Sequence, residues 1–207
     1  MTKLISNVAA EKADEVFNIL EIGLNHEQQH QELLVTDILH AFAQNPTDPV
    51  YDAQWQALPA AQGPRGFVDV PSGIHAIGHE ADDFCFDNEK PFHDELIPKM
   101  KIARHLVTNA EWLEFIDAKG YATPALWLSD GWAAVQNEGW QAPGYLRQPD
   151  GQWHVMTLGG SEPVEPAAPV LHSRSSQSEA VATFAGKHVP AEARRGVEAH
   201  AGTPSGA

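Results

Sequence analysis

His26-Glu27-Gln28-Gln29-His30-Gln31-Glu32-Leu33-Leu34 is the stretch on which the reading of this chain turns. Residues four apart on a helix lie about one turn above each other, so His26 and His30 leave the same face and can reach one ion. Neutral imidazole nitrogen suits zinc, iron, copper and nickel, and a ligating histidine usually gives its other ring N–H to a carboxylate or amide. Glu27, Gln28, Gln29, Gln31 and Glu32 offer both kinds of partner. Leu33, Leu34, Val35, Ile38 and Leu39 follow at once, which places the polar segment in an otherwise core-facing helix. The spacing alone leaves three readings open: a solvated helix face, two ligands of a metal, or the zinc-hydrolase pattern H-E-x-x-H with Glu27 as base and a third ligand elsewhere.

Apolar residues recur at helical spacing around it. Val16, Ile19, Leu20, Leu24, Leu34, Ile38 and Phe42 predict a helix over residues 11–42, with Gly23 and Asn25 as weak points where it could break just before His26. Asn45-Pro46-Thr47-Asp48-Pro49 ends it. Such a helix cannot bury its apolar stripe alone, so residues 1–50 read as part of a helical bundle. Residues 51–66, with Pro59, Gly63, Pro64 and Gly66, read as a linker.

The pattern changes from Phe67. Phe67–Val70 and Ile74–Gly78 read as short strands separated by Pro71-Ser72-Gly73, and Lys99–Val107 as a further strand. Thr108 is the expected N-cap of a helix over Asn109–Ala118, with Glu111 at the capping-box position and Gly120 as the stop. Trp127, Trp132, Trp140, Tyr145 and Trp153 then fall among Gly, Pro and Asp without periodicity, as aromatic core pins do in a loop-rich α+β domain. Residues 191–207, rich in Ala and Gly, are expected to form a disordered tail.

The bulk composition narrows the function. In 207 residues there are 28 acidic against 13 basic side chains, a formal net charge of -15, which opposes nucleic acid or an anionic membrane as the main partner. One cysteine, Cys85, excludes an intramolecular disulfide framework and fits a reducing, cytoplasmic setting. No segment approaches the roughly 18 apolar residues of a membrane span, and Met1–Ala10 lacks a signal-peptide pattern.

The remaining histidines and acids take plain readings. His40 falls on another side of the helix from His30 and near a helix C-terminus, where partial positive charge is favourable. His75 and His79 flank a glycine turn within reach of Asp82 and Asp83. Asp87, Asn88 and Glu89 suit a hard cation or a charged turn that satisfies its own backbone, the second reading being preferred.

Two motif sets together resemble one family. Leu24 to Leu34 followed by Thr36-Asp37 is similar to the signature of the ergothioneine-biosynthesis sulfoxide synthases, which join a helical DinB-like domain to a formylglycine-generating-enzyme-like (sulfatase-modifying-factor) domain. Gly73–Gly78, Phe86-Asp87-Asn88-Glu89 with Pro91 and His93, Val107 to Trp112, Gly120-Tyr121, Leu126 to Trp132 and Pro169-Val170 follow in that family's order. The resemblance implies an α+β chain: a DinB-like bundle remnant over 1–50, then a partial C-type-lectin-like domain over 67–190. It implies a non-haem Fe(2+) enzyme that uses O2 to join a cysteine-type thiol to the imidazole of trimethylhistidine, with His26 and His30 as two of three histidine ligands and Gln29 on the substrate side. His93 is implied to be structural.

This chain departs from the pattern at several points. Met1 to Asn25 holds no histidine that could be the third ligand, which a partner chain could supply. Ser173-Arg174-Ser175-Ser176-Gln177 stands where the family has an aromatic segment, and Ala185 to Ala193 is a degraded form of a family motif. The family's tyrosine acid and substrate-charge contacts would fall after these motifs, so no catalytic side chain is named. The expectation is a truncated family member with impaired turnover. A lectin-like binding module and a zinc hydrolase built on His26, Glu27 and His30 are the alternatives.

Overall fold

The computed structural model describes residues 2–57 and 65–202, with side chains over 5–57 and 65–197. A short helix α1 (Thr2–Asn7) and a 3-10 turn (Ala10–Lys12) precede one long helix, α2 (Ala13–Ala43). α2 runs unbroken through Gly23 and Asn25, the weak points at which the sequence left room for a break. Asn25 Nδ2 donates to the Glu21 carbonyl oxygen at 2.9 Å, so this side chain bonds within the helix instead of drawing the backbone away from it.

Among the described residues, the end of α2 is the part fixed to the body of the protein. Leu39 and Ala43 pack with Phe42 against Met156, Tyr145 and Leu158, while Phe17, Ile19, Ile22, Leu24, Leu33 and Leu34 stand exposed. The segment after α2 is held too, because Tyr51 and Asp52 N–H donate to the Leu158 carbonyl at 2.9 and 3.0 Å. Pro59, Gly63 and Pro64 of the expected linker lie outside the described residues.

Three small antiparallel sheets follow. β1 (Phe67–Val70) pairs with β4 (Met100–Ala103), and β2 (Gly73–Ile77) with β3 (His93–Ile97). β1 and β2 are therefore neighbours in sequence that belong to different ladders. The strand expected over 99–107 is confined to β4, and β3 was not foreseen, since His93-Asp94-Glu95 is a poor strand sequence held by its ladder to β2. The third sheet runs β5 (Leu146–Arg147), β6 (His154–Thr157), β7 (Gly160–Pro163).

Helix α3 (Asn109–Asp117) begins as expected, with Thr108 Oγ1 accepting from Glu111 N–H and Glu111 Oε2 accepting from Thr108 N–H at 2.9 Å. Gly120 does not stop it: the left-handed residue is Lys119, at φ 63°. Gly120 is needed for space, because a Cβ there would run into the Phe115 ring. Helices α4 (Ser129–Glu138) and α5 (Ser175–Phe184) complete the main core, in which Trp112, Phe115, Tyr121, Trp127 and Val135 pack with Ala180 and Val181. Trp132 and Trp140 are only half-buried against it, so not every tryptophan is a core pin.

Residues expected as a disordered tail instead carry α6 (Glu192–Gly202). Ala193 and Val197 are buried against Val70 and Ile97, an apolar anchor four residues apart that gives this helix a packed face. Residues 203–207 lie outside the described part. Helices and small antiparallel sheets together make an α+β chain.

Candidate metal centre

The two motif histidines meet. The His26 and His30 rings stand edge to face with centroids 4.5 Å apart on the exposed middle of α2. Two imidazoles sharing an ion at about 2.1 Å and at right angles have ring centres roughly 4.6 Å apart, so the separation admits a common ion. Gln29 and Glu27 are exposed beside them. Leu39, which faces the body, is nine positions beyond His30, about half a revolution away at roughly 100° per residue. The imidazole pair therefore points away from the domain.

The donor set stops at two. Among the described residues no group of three or more His, Cys, Asp or Glu side chains is placed to hold an ion. Two neutral nitrogens are half of a specific site, so the residues present do not by themselves fit a tightly held iron, nor the third ligand that a zinc hydrolase requires.

Several other polar residues are occupied locally, whereas His75 Nε2 and His105 Nδ1 are buried without a hydrogen-bond partner. His79 Nε2 pairs with Asp83 Oδ1 at 2.7 Å, and His93 Nδ1 bonds to the Pro91 carbonyl oxygen at 2.8 Å. Glu89 Oε2 accepts from Phe86 N–H at 2.8 Å, so the 87–89 turn satisfies its own backbone as expected. Cys85 is a free, half-buried thiol.

One polar constellation escaped the sequence reading. His40 Nδ1 lies 3.0 Å from the Tyr145 hydroxyl, and the Tyr145 ring packs against His172, tilted by 57° with centroids 4.6 Å apart. Tyr145 and His172 both adopt left-handed backbone, at φ 65° and 57°, which non-glycine residues rarely do. Burial holds the His172 imidazole below its ordinary pKa. An open cleft of about 400 Å³ lies beside it, lined by Ala43 to Pro46 and Tyr145 to Arg147, with Arg147 paired to Asp48 at 2.8 Å. It is roughly 20 Å along α2 from His30, so cleft and imidazole pair are separate places. Chain separations of 105 and 27 residues give no local signal for the cluster. Deeper in the core, burial raises Tyr121 to a pKa of about 12, although Trp112 Nε1 and Gln177 Nε2 donate to its oxygen.

Comparison with known proteins adds the lineage. A family model described as sulfatase-modifying factor enzyme 1-like domain matches residues 53–206, a wider span than the 67–190 read from motifs. Hercynine oxygenase of Mycolicibacterium smegmatis is 36% identical over 179 residues, covering 82% of this chain and 39% of that protein. Hercynine oxygenase of Mycobacterium tuberculosis is 35% identical over 178 residues, covering 84% and 40%. Formylglycine-generating enzyme of Thermomonospora curvata is 30% identical over 152 residues, covering 67% and 50%. The chain spans about two fifths of the length of the hercynine oxygenases it matches. These relatives favour neither a zinc hydrolase nor a lectin-like binding module. Among the described residues no helix is long and apolar enough to cross a membrane.

Proposed function

Because the chain belongs to the sulfatase-modifying factor enzyme 1-like family, we propose that it carries part of an iron(II)- and O2-dependent enzyme acting on hercynine, trimethylated histidine, in the cytoplasm. The reaction joins a cysteine-type thiol to the imidazole carbon and leaves a sulfoxide. One thiol S–H and one imidazole C–H are lost, a C–S bond forms, and of the two oxygen atoms of O2 one becomes the S=O and the other leaves as water. Thiol and imidazole together give up four electrons, and O2 takes them.

The observation that carries this reading is the His26–His30 pair, brought together on α2 in a chain whose relatives are hercynine oxygenases. In the proposal His26 and His30 are two of the iron ligands, Gln29 faces the substrate side, and α2 belongs to a DinB-like bundle. Iron held by these imidazoles would supply the activation of O2. The chain's own part is to present two neutral imidazoles and the amide of Gln29 from one rigid helix. With two ligands, affinity for Fe(II) is low and turnover by the isolated chain is slow.

Anaerobic titration of the chain with Fe(II), followed by calorimetry, tests the ligands. The heat of binding is expected to vanish in both His26→Ala and His30→Ala. Aerobic incubation with Fe(II), hercynine and cysteine, read by mass spectrometry, tests the chemistry: a sulfoxide product is expected in small amount and is absent from both variants. Equal Fe(II) binding by wild type and variants overturns the ligand assignment. No product above the level of the variants overturns the enzymatic reading.

A further inference from the structure

We infer that residues 48–55 form a strap seated on the tip of the β6–β7 hairpin, and that this strap, with Trp55 over Gly159 as its lock, completes the hold on the direction of α2. That Trp55 and Gly159 thereby position the imidazole pair rests on the reading of His26 and His30 as metal ligands. The strap itself does not.

The packing of α2 on the body is a narrow base for a long helix. Leu39 and Ala43 are one turn apart, about 6 Å, whereas the 31 residues of α2 span roughly 46 Å. Small shifts at such a base become large ones along the helix. Residues 48–55 and the hairpin add a second attachment, whatever else touches the exposed part of α2.

The strap is built from local bonds and tied at both ends. Asn45 Oδ1 accepts from Thr47 N–H and Oγ1 at 3.0 and 2.8 Å, which closes the turn after α2. Arg147 Nη1 then donates to Asp48 at 2.8 Å, and the Tyr51 ring meets Phe42 of α2 edge to face. Tyr51 and Asp52 N–H donate to the Leu158 carbonyl at the hairpin tip. Asp52 Oδ1 accepts from Gln54 N–H at 2.8 Å and the Asp52 carbonyl from Trp55 N–H at 3.1 Å, a turn that brings the indole onto the tip.

Two glycines record how closely the strap lies. Gly160 has φ 103°, so its backbone calls for glycine, as at the bulge of a hairpin turn. Gly159 lies outside the left-handed region, so what it lacks is space. A Cβ on Gly159 would stand 3.2 Å from Trp55 Cε3 and 2.9 Å from Glu162 Oε1, and one on Gly160 3.1 Å from Val50 Cγ2. Strap residues therefore cover both glycines. Thr157 Oγ1 donates to the Gly160 carbonyl and accepts from Gly159 N–H, both at 3.0 Å, which stiffens the tip beneath them. The family match begins at residue 53, inside the strap, so the hairpin is where the sulfatase-modifying-factor-like domain takes hold of a helix lying outside it.

Pulsed electron-spin distance measurement on the full chain tests the lock. In a Cys85→Ser background, spin labels are attached at Glu21→Cys on α2 and Asp117→Cys on α3, both exposed positions. Glu21 lies about 33 Å along the helix from Ala43, so a tilt of about 10° moves the label by roughly 6 Å. The parent is expected to give one narrow distance. Gly159→Leu, which pushes the indole off the tip, and Trp55→Ala, which removes it, should each shift that distance by roughly 6 Å, with cooperative unfolding retained because neither residue belongs to the main core. Gly159→Ala, which asks the indole to move only slightly, is the milder variant and should shift it less. In the Trp55→Ala background Gly159→Leu should add nothing, since it acts through the indole, whereas a merely structural effect would add in full. An unchanged distance in Trp55→Ala and Gly159→Leu overturns the strap. A Gly159→Leu shift that persists without the indole overturns Trp55 as the lock. The distances are read without metal, so failure of the ligand reading leaves them untouched and shows instead in the Fe(II) titration.

Discussion

His40 Nδ1 and the Tyr145 hydroxyl, 3.0 Å apart, tie the helix that carries the motif histidines to the loop before the third sheet. The tautomer of His40 decides which of the two donates. Because the last turns of α2 are the part that packs on the body among the described residues, this bond and the Leu39–Met156 packing help to set the direction in which the rest of the helix projects. Tyr145→Phe removes the bond and keeps the ring, so it is expected to cost about 1 kcal/mol in urea unfolding. It should also speed amide exchange over the last two turns of α2. Exchange there at the wild-type rate would show that packing alone fixes the helix.

The Tyr145 ring in turn covers His172, whose buried imidazole is held below its ordinary pKa. A base with a depressed native pKa is protonated first in the unfolded chain. Stability therefore falls as pH drops from the unfolded value of 6.5 toward and below the native one. His172→Asn is the informative variant, because asparagine tolerates the left-handed backbone at this position and does not titrate. Between about pH 7.5 and about pH 5.5 the wild type should lose more stability than the variant. Parallel losses would assign the acid sensitivity to other groups.

Glu111 adds a separate acid limb. Partial burial raises its pKa, but the hydrogen bonds from Thr108 N–H and Oγ1, with the charges of His105 and Arg65, outweigh that and leave it lowered. A carboxylate with a lowered native pKa contributes stability above its unfolded value of 4.5, and the contribution disappears as pH falls through the native value. Thr108→Ala breaks the capping box, costing about 1 kcal/mol at neutral pH. It should also flatten the stability profile below about pH 4.5. An unchanged acid limb would place the lowering in the Thr108 backbone N–H bond and the charges instead of the hydroxyl.

How much of this was legible depends on whether the cause was local. The capping box at Thr108 and Glu111 was readable because its partners are three residues apart. The meeting of His26 and His30 was readable because helical spacing decides it. α4 left a signal in Gly139, a left-handed C-cap at φ 66°, but it was drowned by the surrounding tryptophans and turns. β3 was hidden because its stability lies in pairing with β2, not in its own residues. His40, Tyr145 and His172 are joined only by the tertiary fold, and no spacing rule could bring them together.

Gly120 carries a constraint that its sequence context disguised. It was expected to end α3, yet the turn is made by Lys119 and the glycine is there because the fully buried Phe115 ring fills the space a methyl would take. Gly120→Ala is therefore an overpacking change in the main core and should cost about 1–3 kcal/mol. Phe115→Leu relieves the clash at the expense of its own cavity, so the double variant should be less destabilised than the two single changes added together. Strict additivity would mean that the loop shifts away from Phe115 instead of the ring yielding.

The last helix was missed for a physical reason that also makes it testable. Glu192–Gly202 has few apolar residues, and its stability comes from Ala193 and Val197 seated on Val70 and Ile97. Val197→Asp puts an unpaired carboxylate into that contact, which the body can avoid only by releasing α6. The expected result is loss of about one helix of circular dichroism, faster proteolysis after Arg194 and Arg195, and a main core around Phe115 that still unfolds cooperatively. Ile97→Ala, which opens a cavity from the sheet side, should cost about 2–4 kcal/mol and release the same helix. If Val197→Asp leaves cleavage at Arg194 and Arg195 slow, α6 is held by something other than this contact, and the apolar pair is not its anchor.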